Sequence, residues 1–273
     1  MAVTAEKKPA LFPVDGSPLR KGVYLLPNLL TTAGLFAGFY SIIASVRGDF
    51  FAAAIAIVGA NIFDVLDGRI ARLTKTTSRF GIEYDSLSDL IAFGVAPGIL
   101  VYCWALEPWG SWGWLAASLY VACGALRLAR FNVHFDAAEK HYFTGLPIPA
   151  AAEVIASTIL LYYRLGGAGP THKHALLLLV TYVLAGLMVS NVKYFSFKET
   201  ELHRRQPFWI LLLVIVVLKL LIAEPQIVLF TVFALFAASG PARWLLIPAR
   251  RFWSRRRRRT RSPAAVHRNA VRG

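Results

Sequence analysis

Long apolar stretches alternate with short polar ones over most of this chain. Eight of them run roughly 17 to 25 residues, the length that crosses a hydrocarbon core about 30 Å thick as a helix. They are 23–46, 49–67, 86–106, 109–130, 149–165, 174–191, 207–223 and 225–247. The pattern predicts an all-α protein, a polytopic transmembrane helix bundle of about eight spans with both termini cytoplasmic. Segment 1–22 is polar, the transmembrane domain is 23–247, and 248–273 is a basic tail. The first apolar run is too long for a signal-peptide core and lacks a small-residue cleavage site, so it reads as a retained span. The last two spans are separated by "EPQ", where Pro225 suits a first helical turn.

Composition sharpens this reading. Of 273 residues 56% are hydrophobic, which argues against a soluble globular protein. The net charge of +15, from 30 Lys and Arg against 15 Asp and Glu, could mark nucleic acid, anionic lipid or cytoplasmic loops, and its distribution decides. With eight spans and a cytoplasmic N-terminus, 26 of the 30 basic residues fall inside. Arg47, Arg164 and Lys173 fall outside, and Lys219 lies within the seventh span, where snorkelling or a bundle partner accounts for it. The run "RRFWSRRRRR" follows a span directly, as expected of a strap on anionic membrane lipid. No nucleic-acid-binding motif accompanies it, so nucleic acid is not an expected partner.

Smaller signals stay structural. Cys103 and Cys123 make neither a disulfide framework nor a zinc site, and the six histidines lack metal-ligand spacing. Trp104, Trp109, Trp112 and Trp114 are expected in an interfacial aromatic belt. Pro147 and Pro149 in "GLPIP" suit the entry to the fifth span, and "GLFAG" at 34–38 is a small-residue pattern able to pack helices within or between protomers.

Four aspartates break the apolar pattern at one membrane boundary. Asp64 and Asp67 are three apart at the end of the second span, and Asp85 and Asp89 are four apart at the start of the third, so each pair shares a helix face. Brought together, four carboxylates repel unless cations lie between them. Oxygen-only ligands favour a hard ion such as Mg²⁺ or Mn²⁺, and two such ions would suit phosphoryl chemistry. Gly68 allows close approach to the backbone, Arg72 offers a guanidinium fork to phosphate, and Ser78 with Gly81 adds a hydroxyl and a second close approach. For Lys75 and Arg79, positive-inside topology is a sufficient account.

The segment reads DxxDGxxAR, eight residues, G, three residues, D, three residues, D, with Asp64, Asp67, Gly68, Ala71, Arg72, Gly81, Asp85 and Asp89 at the fixed positions. It resembles the signature of the CDP-alcohol phosphatidyltransferase family. The stretches "LPNLLTTAGLFAGF", "DSLSDLIAFGVAP", "ALRLARFN" and "FTGLPIPAAA" look like the membrane-embedded phosphatidylserine-synthase branch of that family. The resemblance covers most of 23–152, and the catalytic part is expected at about 23–191.

The resemblance implies that Asp64, Asp67, Asp85 and Asp89 bind two divalent ions and that Asp89 is also the general base. It implies contacts to CDP-diacylglycerol from Asn28 through Thr31, Gly68, Arg72, Ser78 and Gly81. The implied reaction is attack of the L-serine hydroxyl on the phosphorus attached to diacylglycerol, in a homodimer at the cytoplasmic face of the cell (inner) membrane. A serine pocket needs a cation and an acceptor, for which Arg127, Arg130 and Asn132 are candidates; interfacial anchoring is the competing reading, chiefly for Arg130. Glycerol 3-phosphate or inositol phosphate as acceptor is the nearest alternative. A cation-coupled transporter is a more distant one, because the aspartates gather at one face instead of along a midplane path.

Overall fold

The structure is a computed structural model that describes residues 18–74, 78–133, 142–171, 174–195, 219–220 and 222–259. Helices α1 (Pro18–Val46) and α2 (Phe50–Thr74) form an antiparallel pair joined by a tight turn at Gly48. The third apolar segment is compound: α3 (Arg79–Asp89), a π-helical turn (Leu90–Val95), α4 (Ala96–Val101), a second π-helical turn (Tyr102–Leu106) and a 3₁₀ turn (Glu107–Trp109). Then come α5 (Ser111–Val133), α6 (Ile148–Arg164), α7 (Ala175–Val189) and α8 (Pro225–Arg259). Two three-residue strands, β1 (Tyr142–Thr144) and β2 (Lys193–Phe195), pair antiparallel, a ribbon that the expectation of an all-helical chain did not include.

Among the described residues five helical segments are long and apolar enough to cross a membrane: Leu25–Val46, Phe50–Thr74, Arg79–Trp109, Ser111–Val133 and Pro225–Ala242. The fifth and sixth predicted spans correspond to α6, 17 residues, and α7, 15 residues, both shorter than that. The seventh, 207–223, lies almost wholly outside the described residues. The polar loop predicted at 68–85 is helical over most of its length, because α2 continues to Thr74 and α3 starts at Arg79. "DGRIAR" contains strong helix formers and extends the span beyond its apolar part, while the Ser78 Oγ accepts from the Gly81 N–H at 3.0 Å and starts the next helix.

The compound third segment is the most enclosed of the five. A Cβ on Gly38 would lie 2.6 Å from the Ala92 Cα, so α1 crosses the first π-helical turn at a distance only glycine allows. The "GLFAG" pattern therefore packs inside one chain. Widening the turn upsets the regular carbonyl ladder, and the Tyr120 hydroxyl on α5 donates to the Phe93 carbonyl at 3.1 Å. Trp104, assigned to the interface by sequence, is 3% exposed and meets Tyr162 edge-on, centroids 5.4 Å apart, while Trp112 and Trp114 are exposed. Placement in the enclosed segment overrides the aromatic-belt preference for Trp104.

Helix α6 begins as "GLPIP" predicts, with Pro147 just before it and Pro149 in its first turn. Ile148 fills a notch between the third segment and α5: its Cδ1 would lie 2.7 Å from a Cβ on Gly124 and 3.6 Å from one on Gly94. The ribbon docks α8, since the buried Tyr194 hydroxyl donates to the Ala237 carbonyl at 3.2 Å. Burial pushes that phenol up to about 12, so it stays a donor at any physiological pH.

Candidate active site

The end of α2 presents Asp64, Asp67, Gly68 and Arg72; Ser78 and α3 present Gly81, Asp85 and Asp89; the first half of α1 presents Asn28 and Thr31. Side-chain bonds hold these three elements in register. The Ser88 Oγ donates to the Thr31 carbonyl at 3.1 Å, and the Thr32 and Tyr84 hydroxyls are 2.9 Å apart. Helices α2 and α3 thus converge on the same stretch of α1.

Asp64, Asp67 and Asp85 each offer a carboxylate oxygen within 4.8 Å of the other two, a set able to hold a metal ion. Asp67 is 4% exposed and accepts from the Thr31 Oγ at 2.7 Å. The Thr31 hydroxyl has one proton, so this bond competes with its 3.1 Å contact to the Pro27 carbonyl. Asp89 is outside the group of three yet lines the same small cleft, together with Asp64, Asp67, Asp85, Thr31 and Ser88. An all-oxygen donor set of this charge suits a hard divalent ion.

Around the carboxylates the sequence candidates separate by position. Gly68 has open space above it up to an Arg72 guanidinium nitrogen, which would lie 3.9 Å from a Cβ there. A Cβ on Gly81 would meet the Ser78 Oγ at 3.1 Å and the Asn28 Oδ1 at 3.6 Å, so Asn28, Ser78 and Gly81 lie together at one edge of the α1–α3 contact, outside the residues that line the aspartate cavity. Next to this edge Phe80 and Tyr84 stack with their rings 9° from parallel and centroids 5.9 Å apart.

The three residues considered for a serine pocket point to different neighbours. Arg127 lies within electrostatic reach of Asp89, with its Nε buried and without a hydrogen-bond partner among the described residues. The Asn132 Nδ2 donates to the Ser86 Oγ at 3.1 Å, beside Asp85. Arg130 reaches the end of α7, donating to the Asn191 Oδ1 at 2.7 Å and the Val189 carbonyl at 3.4 Å.

Sequence reasoning passes over several polar residues in this region. Ser88, Thr32 and Tyr84 act on neighbouring helices, which spacing along one helix cannot show. Glu153 is different: it interrupts the apolar run "PAAAEVIAS", the kind of signal that singles out the aspartates. It has no exposed surface, and its Oε1 accepts from the Asn61 Nδ2 at 2.9 Å, one turn from Asp64.

The sequence pattern of the family described as CDP-alcohol phosphatidyltransferase matches residues 24–189. The chain is 40% identical over 228 residues to the CDP-diacylglycerol-serine O-phosphatidyltransferase of Helicobacter pylori, covering 82% of this chain and 93% of that protein. It is 40% identical over 173 residues to the archaetidylserine synthase of Methanothermobacter thermautotrophicus, covering 62% and 69%. It is also 33% identical over 174 residues to the CDP-diacylglycerol-serine O-phosphatidyltransferase of Bacillus subtilis, covering 64% and 92%.

Proposed function

This chain belongs to the CDP-alcohol phosphatidyltransferase family, and from that premise we propose that it transfers the phosphatidyl group of CDP-diacylglycerol to the hydroxyl of L-serine. The products are phosphatidylserine and CMP. The observation that carries this reading is the convergence of Asp64, Asp67 and Asp85, oxygens within 4.8 Å, on a cavity that Asp89 also lines. The names of the relatives supply the acceptor.

In this reading Asp64, Asp67, Asp85 and Asp89 hold Mg²⁺ or Mn²⁺, two ions in all. Bound there, the ions would supply positive charge to offset the negative charge of the diphosphate. Arg72 faces the diphosphate across the open space above Gly68, and the edge formed by Asn28, Ser78 and Gly81 receives the rest of the CDP head group. Asp89 takes the proton from the serine hydroxyl as the new O–P bond forms; the bond from that phosphorus to the CMP oxygen breaks and CMP leaves. Arg127, within electrostatic reach of Asp89, would hold the serine carboxylate, with Asn132 as a polar neighbour and Arg130 bracing the rim.

The transmembrane domain is 23–247 and the active site opens to the cytoplasmic face of the inner membrane, which the charge distribution supports. A homodimer is proposed from family likeness. The deciding experiment offers membranes containing the protein CDP-diacylglycerol and, in separate reactions, L-serine, glycerol 3-phosphate and inositol phosphate, with Mg²⁺ and Mn²⁺ compared. CMP release with formation of phosphatidylserine is expected with serine alone. Release that needs glycerol 3-phosphate and ignores serine would overturn the acceptor assignment.

A further inference from the structure

Glu153 is an acid with no exposed surface, in the apolar first half of α6 in a membrane protein. A well-packed apolar side chain is generally less costly at such a place, so a buried acid there marks a role beyond packing. Its Oε1 accepts from the Asn61 Nδ2 at 2.9 Å, and its Oε2 has no hydrogen-bond partner among the described residues. The bond joins α6 to α2.

Asn61 and Asp64 are three apart, so they share one face of α2 about 4.5 Å apart along its axis. Whatever holds Asn61 therefore sets the rotation of α2 where Asp64 leaves it. Helix α6 can act as the fixed reference because Ile148 at its start is seated in the notch at Gly94 and Gly124. On the opposite side Asp67 is held by Thr31 from α1. The two aspartates of "DVLD" are thus aimed from two directions, one by a direct bond and one through the neighbouring turn.

We propose that Glu153 is a positioning residue for the metal site: by holding Asn61, it orients Asp64 toward Asp67 and Asp85. The inference rests on the metal reading of the aspartates given above. The hydrogen bond is the operative contact, so geometry at Oε1 matters and the charge of the acid does not. Glu153→Gln keeps an acceptor oxygen at the same reach, whereas Glu153→Asp keeps the acid and withdraws it by one methylene.

The test uses the full chain purified in lipid nanodiscs, with Mn²⁺ binding followed by electron paramagnetic resonance alongside the Mn²⁺ dependence of CMP release and the KM for serine. Glu153→Asp and Asn61→Leu are expected to weaken Mn²⁺ binding about tenfold and to raise the Mn²⁺ needed for half-maximal activity by a similar factor, with Glu153→Gln within about twofold of wild type. The KM for serine should stay nearly constant. Combining Glu153→Leu with Asn61→Leu should cost no more than either change alone, since both remove one contact. Wild-type Mn²⁺ affinity in Glu153→Asp, or a Glu153→Gln variant as impaired as Glu153→Asp, would overturn the inference. So would lowered melting temperatures with metal affinity unchanged, the mark of a merely structural role. If the wild-type protein bound no Mn²⁺, the metal reading itself would fall, a result distinct from equal Mn²⁺ binding by wild type and Glu153→Asp.

Discussion

Asp89 and Thr31 show how much a single side chain can carry here. Asp89 lines the cavity with the other three aspartates but stands apart from the group of three that closes within 4.8 Å, which suits a group with a task beyond holding metal. Asp89→Asn removes the proton acceptor at nearly constant volume. It should lower CMP release about 10²- to 10⁴-fold, the range for loss of a general base, as measured in membranes adjusted to equal protein. Thr31 donates to the Oδ2 of Asp67, which is 4% exposed. Thr31→Val should leave that oxygen without its donor and raise the Mn²⁺ requirement, while Thr31→Ser should restore it. A Thr31→Val protein with an unaltered metal titration would show that this hydroxyl serves packing alone.

At the level of the element, the site depends on where α2 ends and α3 begins. The break is short because "DGRIAR" stays helical and Ser78 caps the following helix. Ser78→Ala should destabilise the start of α3 by about 1 kcal/mol and, since Asp85 lies two turns further on, lower activity as well as melting temperature. Gly38 is the second sensitive point: a Cβ there would lie 2.6 Å from the Ala92 Cα. Gly38→Ala must push α1 from the π-helical turn, with a cost of about 1 to 3 kcal/mol for overpacking and displacement of Thr31 from Asp67. A Gly38→Ala protein as stable and active as wild type would contradict the close crossing.

Across the whole molecule, α8 links the bundle to the basic end of the chain. At 35 residues it is about 52 Å long, well beyond a hydrocarbon core of about 30 Å. Its apolar part, Pro225–Ala242, is followed by "RWLLIPARRFWSRRRRR" without a single acid. Such a segment should rest against anionic headgroups at roughly 1 kcal/mol per basic residue near the surface. Replacing Arg255 through Arg259 by Gln should therefore reduce activity in nanodiscs containing anionic lipid and leave it unchanged in wholly zwitterionic ones. The difference should shrink as salt is raised. An equal loss in both lipid compositions would place the role of these arginines elsewhere.

Amphiphilic pattern and motif spacing were enough to read helical membrane architecture, the carboxylate cluster and the family from the chain alone. Apolar length and positive-inside charge are properties of segments, and the eight signature positions lie within 26 residues. What the sequence left undecided depends on contacts between segments distant along the chain. Spacing placed Arg127 and Arg130 together, but packing sends one toward Asp89 and the other to the end of α7. Trp104 reads as an interfacial residue until the third segment encloses it. The π-helical turns and the ribbon satisfy backbone groups in ways that hydrophobic periodicity does not encode. Glu153 was visible as a charge in an apolar run, yet only the tertiary structure, by bringing residue 153 to residue 61, decided that it bears on Asp64.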